Sequence, residues 1–259
     1  MKKSTFQKIV VYILLPTLLV GMPFVFSAFA EKAPSYDWYF KPNQTHQRPE
    51  TIKEADFLSK YPDVITMGPD EKSIFLTFDA GFDNGNMEKI LDTLKEKKVP
   101  AAFFVDGNFV KSQQSLVQRI CNEGHILGNH SLSHADMSTL SDFQKYKEQI
   151  EGWNQLVESA GGKPTDYFRF PCGRFSETAL KYNEKLGLKS VFWSFAYFDW
   201  ETDNQPDPTS ATEKILSRTH NGCIMLLHSV SSTNAKILPD IIDKLRAEGY
   251  TFKSLDNIK

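Results

Sequence analysis

Cysteine is scarce in this chain. Cys121, Cys172 and Cys223 are the only three in 259 residues, too few for a disulfide scaffold. None lies near another in sequence and no CxxC occurs, which excludes a cysteine-based metal or redox motif. The expected default for all three is burial as small apolar residues, with room for one bridge after export between an unspecified pair. Charge of one sign is also lacking. Thirty Lys and Arg against 32 Asp and Glu leave a formal net charge of −2 without a basic stripe, so nucleic acid is excluded as a partner. There is no internal repeat and no low-complexity linker, and nothing points to an obligate partner. A monomer is expected.

A long apolar run stands at the front. Met1-Lys2-Lys3 and Lys8 give a basic start, Ile9 to Phe26 is nearly all apolar, and Ala28-Phe29-Ala30 ends the stretch in an Ala-x-Ala pattern. This is the layout of a secretory signal peptide over residues 1–30, cleaved after Ala30. The alternative is an uncleaved membrane anchor, a reading weakened by Pro16, Gly21 and Pro23 within the run. Residues 31–72, rich in Pro, Lys and aromatics without a sustained period, read as an irregular arm. Residues 73–259 form the main domain.

From Ser73 the pattern is regular. Strands are expected at Ile74–Asp79, Ala101–Val105, Ile126–Leu127, Tyr167–Phe170, Ser190–Phe195, Cys223–Leu227 and Thr251–Phe252. Helices are expected between them at Met87–Lys98, Ser115–Asn122, Ser141–Ser159, Glu177–Leu186, Ser210–Ser217 and Lys236–Glu248, several closed by glycine. Strict alternation implies parallel strands with right-handed crossovers. About seven such units in one domain predict an α/β fold, a distorted (β/α) barrel.

In such a barrel the chemistry sits at the C-terminal ends of the strands. The polar residues there are Asp79, His130, His134, Arg169, Asp199 and His228. A packed core does not call for charge at five strand ends. Each has an ordinary alternative: an Asp in a turn for Asp79, exposed histidines for His130 and His134, a surface ion pair for Arg169, a core histidine for His228. The functional readings are a catalytic carboxylate, two imidazoles four apart that share a metal if the segment turns helically, a guanidinium pinning a carboxylate, and a general acid. Asp199 can orient an imidazole, and Trp200 can wall a substrate pocket.

The order of these residues carries more than any one of them. Thr77-Phe-Asp-Ala-Gly81, His130-Ser-Leu-Ser-His134, Arg169-Phe-Pro-Cys-Gly173, Asp199-Trp200 and Leu226-Leu-His228 resemble the five ordered motifs of the polysaccharide deacetylases, the NodB-homology domain of carbohydrate esterase family 4. The resemblance covers Ser73 to the C-terminus. It implies metal-dependent de-N-acetylation, with Asp79 as general base, His130 and His134 as ligands of a divalent metal ion, zinc being the expected one, and His228 as the acid that protonates the leaving amine. Arg169 would hold Asp79, Asp199 would tune Arg169 or His228, and a backbone N–H after the third motif would face the oxyanion. Pro171, Gly173, Trp200 and Leu226 are expected to bind substrate. One position departs from the pattern: Ala80 replaces the Asp that is normally the third metal ligand, which leaves Asp79 itself, or Asp83 and Asn84 through water, as substitutes. Ala196 stands where the fourth motif usually begins with Asp.

The altered first motif, the Trp193–Trp200 stretch and the Gly249–Lys259 ending look like the PdaA-type subgroup, the delta-lactam-biosynthetic de-N-acetylases. That likeness implies peptidoglycan glycan strands as the partner, N-acetylmuramic acid without stem peptide as the substrate, and an exported enzyme of the cell wall or the intermembrane space of a forming spore. Deacetylation of N-acetylglucosamine, chitin oligomers or acetylxylan is the alternative within the family. A non-catalytic glycan-binding module is the alternative outside it.

Overall fold

The computed structural model describes residues 34–258, so the expected signal peptide or anchor lies outside the described residues. All eight residues of Ser73–Ala80 are buried. A strand covered on both faces belongs in the middle of a parallel sheet. It pairs in parallel with Cys223–His228 on one side and Ala101–Val105 on the other. The sheet continues through Ile126–Asn129, Tyr167–Phe168 and Lys189–Val191 to Val64–Ile65, and Thr251–Phe252 adds beside Ser73–Ile74. Beyond Val191 the chain bridges Phe195 to Met225, so this strand's continuation meets Cys223–His228 and the sheet curls into a distorted barrel. All seven expected strands are present. The eighth, Val64–Ile65, comes from the otherwise irregular arm, whose short segment Ser35–Asp37 also pairs with Arg174–Ser176. Val64–Ile65 lies outside the strand–helix alternation that marked the others.

Alternation along the central strand separates two cores. Ile74, Leu76, Phe78 and Ala80 pack outward against the helices. Phe75 faces the barrel interior with Ala102, Phe104, Tyr167, Val191 and Ile224. Thr77 and Asp79 follow Phe75 at two-residue spacing. The interior face of the strand therefore runs from an aromatic at its base to a carboxylate at its C-terminal end.

The helices are fixed by side-chain caps. Asp142 accepts from Lys145 N, Ser176 from Ala179 N, Asp207 from Ser210 N and Ser231 from Asn234 N. The Ser231 cap starts the last helix at Ser232, four residues earlier than its apolar period suggests. A short helix, Gly107–Ser112, precedes Gln114–Asn122 and is capped by Asp106. All three cysteines are free thiols. Only Cys223 is fully buried, whereas Cys172 is exposed, contrary to the expected burial of all three.

Candidate active site

The strand ends surround a cavity of about 950 Å³. Asp79, His130, His134, Trp200, Leu226 and His228 all line it. Parallel register sets Asp79 directly opposite His228 on adjacent strands.

Asp79 is held from behind by Arg169. Its Oδ1 accepts a 2.7 Å bond from Arg169 Nη1. The guanidinium is completely buried and donates further to the carbonyls of Val191 (3.2 Å) and Phe192 (3.3 Å). Its carbon lies 4.1 Å from the centre of the Phe104 ring. Burial by itself would raise the Asp79 pKa, but the charge of Arg169, helped by His228, outweighs it and holds the carboxyl below the usual range. Arg169 is thus no surface ion pair, and it does not line the cavity. It touches the cavity only through Asp79.

His130 and His134 come together without a helix. The segment between them is irregular, with Ser131 at φ 67° and His134 at φ 54°. The Asn129 Oδ1 accepts from Ser131 N, and Ser131 Oγ accepts from Ala135 N, which stabilises the turn. The two rings meet edge to face with centroids 5.0 Å apart. This loop replaces the helical turn expected from their spacing. His130 Nδ1 donates to the Arg169 carbonyl at 2.9 Å, so Nε2 carries the lone pair and stands 3.8 Å from Asp79 Oδ2. Burial pushes the His130 pKa down to about 4, which keeps the ring neutral, the form that binds metal. Two convergent imidazoles, one with its tautomer fixed by a backbone acceptor, beside a carboxylate fit a divalent cation. Among the described residues no three His, Cys, Asp or Glu side chains are already drawn around one point. Asp83 and Asn84 do not line the cavity and are engaged with backbone groups of the following turn and of Val230. Asp83 accepts from Gly85 N and Met87 N, and Asn84 donates to Val230 O.

His228 is held by Asp199. The His228 Nδ1 donates to Asp199 Oδ1 at 2.6 Å, and the His228 backbone N–H donates to Oδ2 at 2.9 Å. Asp199 is buried and also accepts from Asn234 Nδ2 at 2.6 Å, while Asn234 is bonded in turn to Tyr197. Burial would lower the His228 pKa, but Asp199 outweighs it and raises it. Of the two partners expected for Asp199, the structure selects His228 and not Arg169. Asp199, too, stands behind the cavity wall and meets it only through His228.

The third motif presents Cys172, at φ 55°, to the cavity, whereas its neighbours Pro171 and Gly173 are buried and do not line it. Gly173 is required where it stands: a Cβ there would lie 2.6 Å from the Trp193 ring. Sequence reasoning missed Phe82 and Phe198, exposed aromatics of the cavity, and Asn234 behind Asp199. It also missed Asp106, which lines the cavity and carries the same signal as Asp79, a carboxylate directly after an apolar strand.

A family model described as polysaccharide deacetylase matches residues 66–191. The peptidoglycan-N-acetylmuramic acid deacetylase PdaA of Bacillus subtilis is 42% identical over 90% of this chain and 89% of its own length. Its solved structure, described as a family 4 carbohydrate esterase, superposes with a TM-score of 0.83, covering 86% of this chain and 96% of that one. The peptidoglycan-N-acetylglucosamine deacetylase PgdA of Listeria monocytogenes is 33% identical over 72% of this chain and 39% of its own length.

Proposed function

The chain belongs to the polysaccharide deacetylases of carbohydrate esterase family 4, and on that premise we propose that it removes the acetyl group from N-acetylmuramic acid in peptidoglycan strands. The preferred residue is one without its stem peptide, on the way to muramic δ-lactam in spore cortex. The single observation that carries the reading is the facing pair Asp79 and His228, each locked by a buried partner of opposite charge on the wall of one cavity. A mere glycan-binding surface needs no such acid–base pair.

His130 and His134, with Asp79 adjacent, would hold a divalent cation, whose charge would acidify the attacking water and polarise the acetamide carbonyl. Asp79, ionised and held by Arg169, takes the proton of the water as its oxygen bonds to the carbonyl carbon. His228, its Nδ1 proton committed to Asp199, presents Nε2 to the cavity and gives its proton to the sugar nitrogen as the C–N bond breaks. One amide and one water become acetate and a free amine. Trp200 and Phe198, both about half exposed with ring centroids 4.3 Å apart, offer apolar faces to a sugar ring at the rim. The enzyme is exported and works at the cell wall, with residues 73–259 as its catalytic domain.

The test uses strands treated with an amidase and untreated strands, with the muropeptides separated by mass. Acetyl loss from peptide-free N-acetylmuramic acid is expected. A stem peptide that mis-seats the acetamide slows the reaction roughly 10²-fold. Equal reaction on both samples would overturn the preference for peptide-free residues. Acetyl loss confined to N-acetylglucosamine would move the chain to the activity for which the Listeria relative is named.

The raised His228 pKa gives a second expectation. An acid must be protonated to act, so activity persists to higher pH than an unperturbed imidazole allows and falls as His228 loses its proton. Asp199→Asn removes the carboxylate that raises this pKa. The alkaline limb of kcat should then move to lower pH, with KM little changed. An alkaline limb indifferent to Asp199→Asn would separate it from His228.

A further inference from the structure

We propose that Asp106 is the carboxylate of the cation site, taking the place of the ligand lost at Ala80. This rests on the reading that His130 and His134 hold a divalent cation. Asp106 directly follows the strand Ala101–Val105 and is itself extended, at φ −82° and ψ 172°. Alternation therefore places it on the same face as Ala102 and Phe104, which point into the barrel. Ala80 packs against the helix-facing core, yet at the end of its strand it also lines the same cavity.

Backbone bonds fasten Asp106 between the two motifs that frame the site. Its N–H donates to the Ala80 carbonyl at 3.2 Å, and the next N–H, that of Gly107, donates to the Ser131 carbonyl at 3.1 Å. A Cβ built on Gly81 would lie 3.2 Å from Asp106 Oδ2, so this oxygen stands against the turn where the usual ligand is missing. The side chain lines the same cavity as Asp79, His130 and His134, and Asp106 is only 4% exposed.

Capping does not account for the whole carboxylate. Oδ1 accepts from Phe109 N at 2.8 Å and starts the short helix. Oδ2 accepts no hydrogen bond among the described residues and is not enclosed. Serine or asparagine would serve as well for a cap. The oxygen left over is open to the cavity that Asp106 shares with His130 and His134, where a cation can meet it. Without Asp106, the cavity offers a divalent ion the single negative charge of Asp79, which Arg169 already neutralises.

The test is titration with zinc ion against a competing chelator, on wild type, Asp106→Asn, Asp106→Ser and His130→Ala. Both Asp106 variants keep a capping acceptor, so their metal-free forms should melt with wild type. Zinc affinity should fall at least about tenfold in each, because a full negative charge close to a dication has been removed. Adding Ala80→Asp to Asp106→Asn should restore the affinity. Zinc affinity that falls in His130→Ala but is unchanged in both Asp106 variants would overturn the role of Asp106 alone. Absence of any His130-dependent zinc binding in wild type would overturn the cation site itself, and the role of Asp106 with it.

Discussion

Asp79→Asn should lower acetate release from peptidoglycan by at least ~10²-fold while the protein remains folded. Asparagine nearly matches aspartate in size. Its carboxamide oxygen can still accept the 2.7 Å bond from Arg169, so the interior keeps its shape. What the amide cannot do is take a proton. Asp79 is suited to that task in the wild type because Arg169 keeps it ionised despite burial. Activity and the circular-dichroism melt should be read together. Near wild-type turnover in a folded Asp79→Asn protein would remove Asp79 from the role of base. Loss of turnover with loss of the folded state would place Asp79 in the structure and not in the chemistry.

Arg169→Met should be the most destabilising single change at the site, costing about 3–5 kcal/mol near neutral pH. Methionine fills much of the same space next to Phe104 but leaves a buried carboxylate without its counter-ion. It also leaves the Val191 and Phe192 carbonyls without their donor. In the wild type the Asp79 pKa is depressed, so its ionisation contributes stability above the ordinary carboxylate pKa. That contribution is lost as pH falls through the depressed value. In Arg169→Met the depressing charge is gone and burial pushes the pKa up instead. The stability gap between variant and wild type should therefore narrow as pH is lowered, because Asp79 is protonated in the folded variant at mildly acidic pH while it is still ionised in wild type. Urea unfolding at neutral and mildly acidic pH reads this directly. A gap that stays constant with pH would show that Arg169 contributes through packing and carbonyl bonds, independently of the Asp79 charge.

Elements with a local signature were legible in the sequence. The alternation of apolar strands with helical periods determined the parallel α/β barrel, since a buried parallel strand and a capped amphipathic helix each leave a repeating pattern within about ten residues. Polar residues at the strand ends marked Asp79, His130, His134 and His228, because nothing in a packed core calls for charge there. Ala80 was visible as a gap in a motif. The strand Val64–Ile65 was not legible, because it stands in an aperiodic arm outside the strand–helix alternation and exists only by pairing with Lys189–Val191.

The tertiary structure alone decided who partners whom. Arg169 and Asp79 are 90 residues apart, and only the barrel's closure buries the guanidinium behind that carboxylate, a pairing that the motif resemblance implied but no local pattern encodes. Asp199 is 29 residues from His228, and the bridge from Phe195 to Met225 brings its segment beside Cys223–His228, where it bonds the imidazole and not Arg169. His130 and His134 converge through a loop held by Asn129 and Ser131, a geometry that a four-residue spacing neither requires nor reveals. Asp106 reads in the sequence as a strand-end residue and a helix cap. Its second oxygen faces the Ala80–Gly81 turn only because two neighbouring strands end at the same height. Sequence carries the periodicities that short-range sterics and burial impose. The distances between ionisable groups are fixed by long-range strand pairing, which no local pattern encodes.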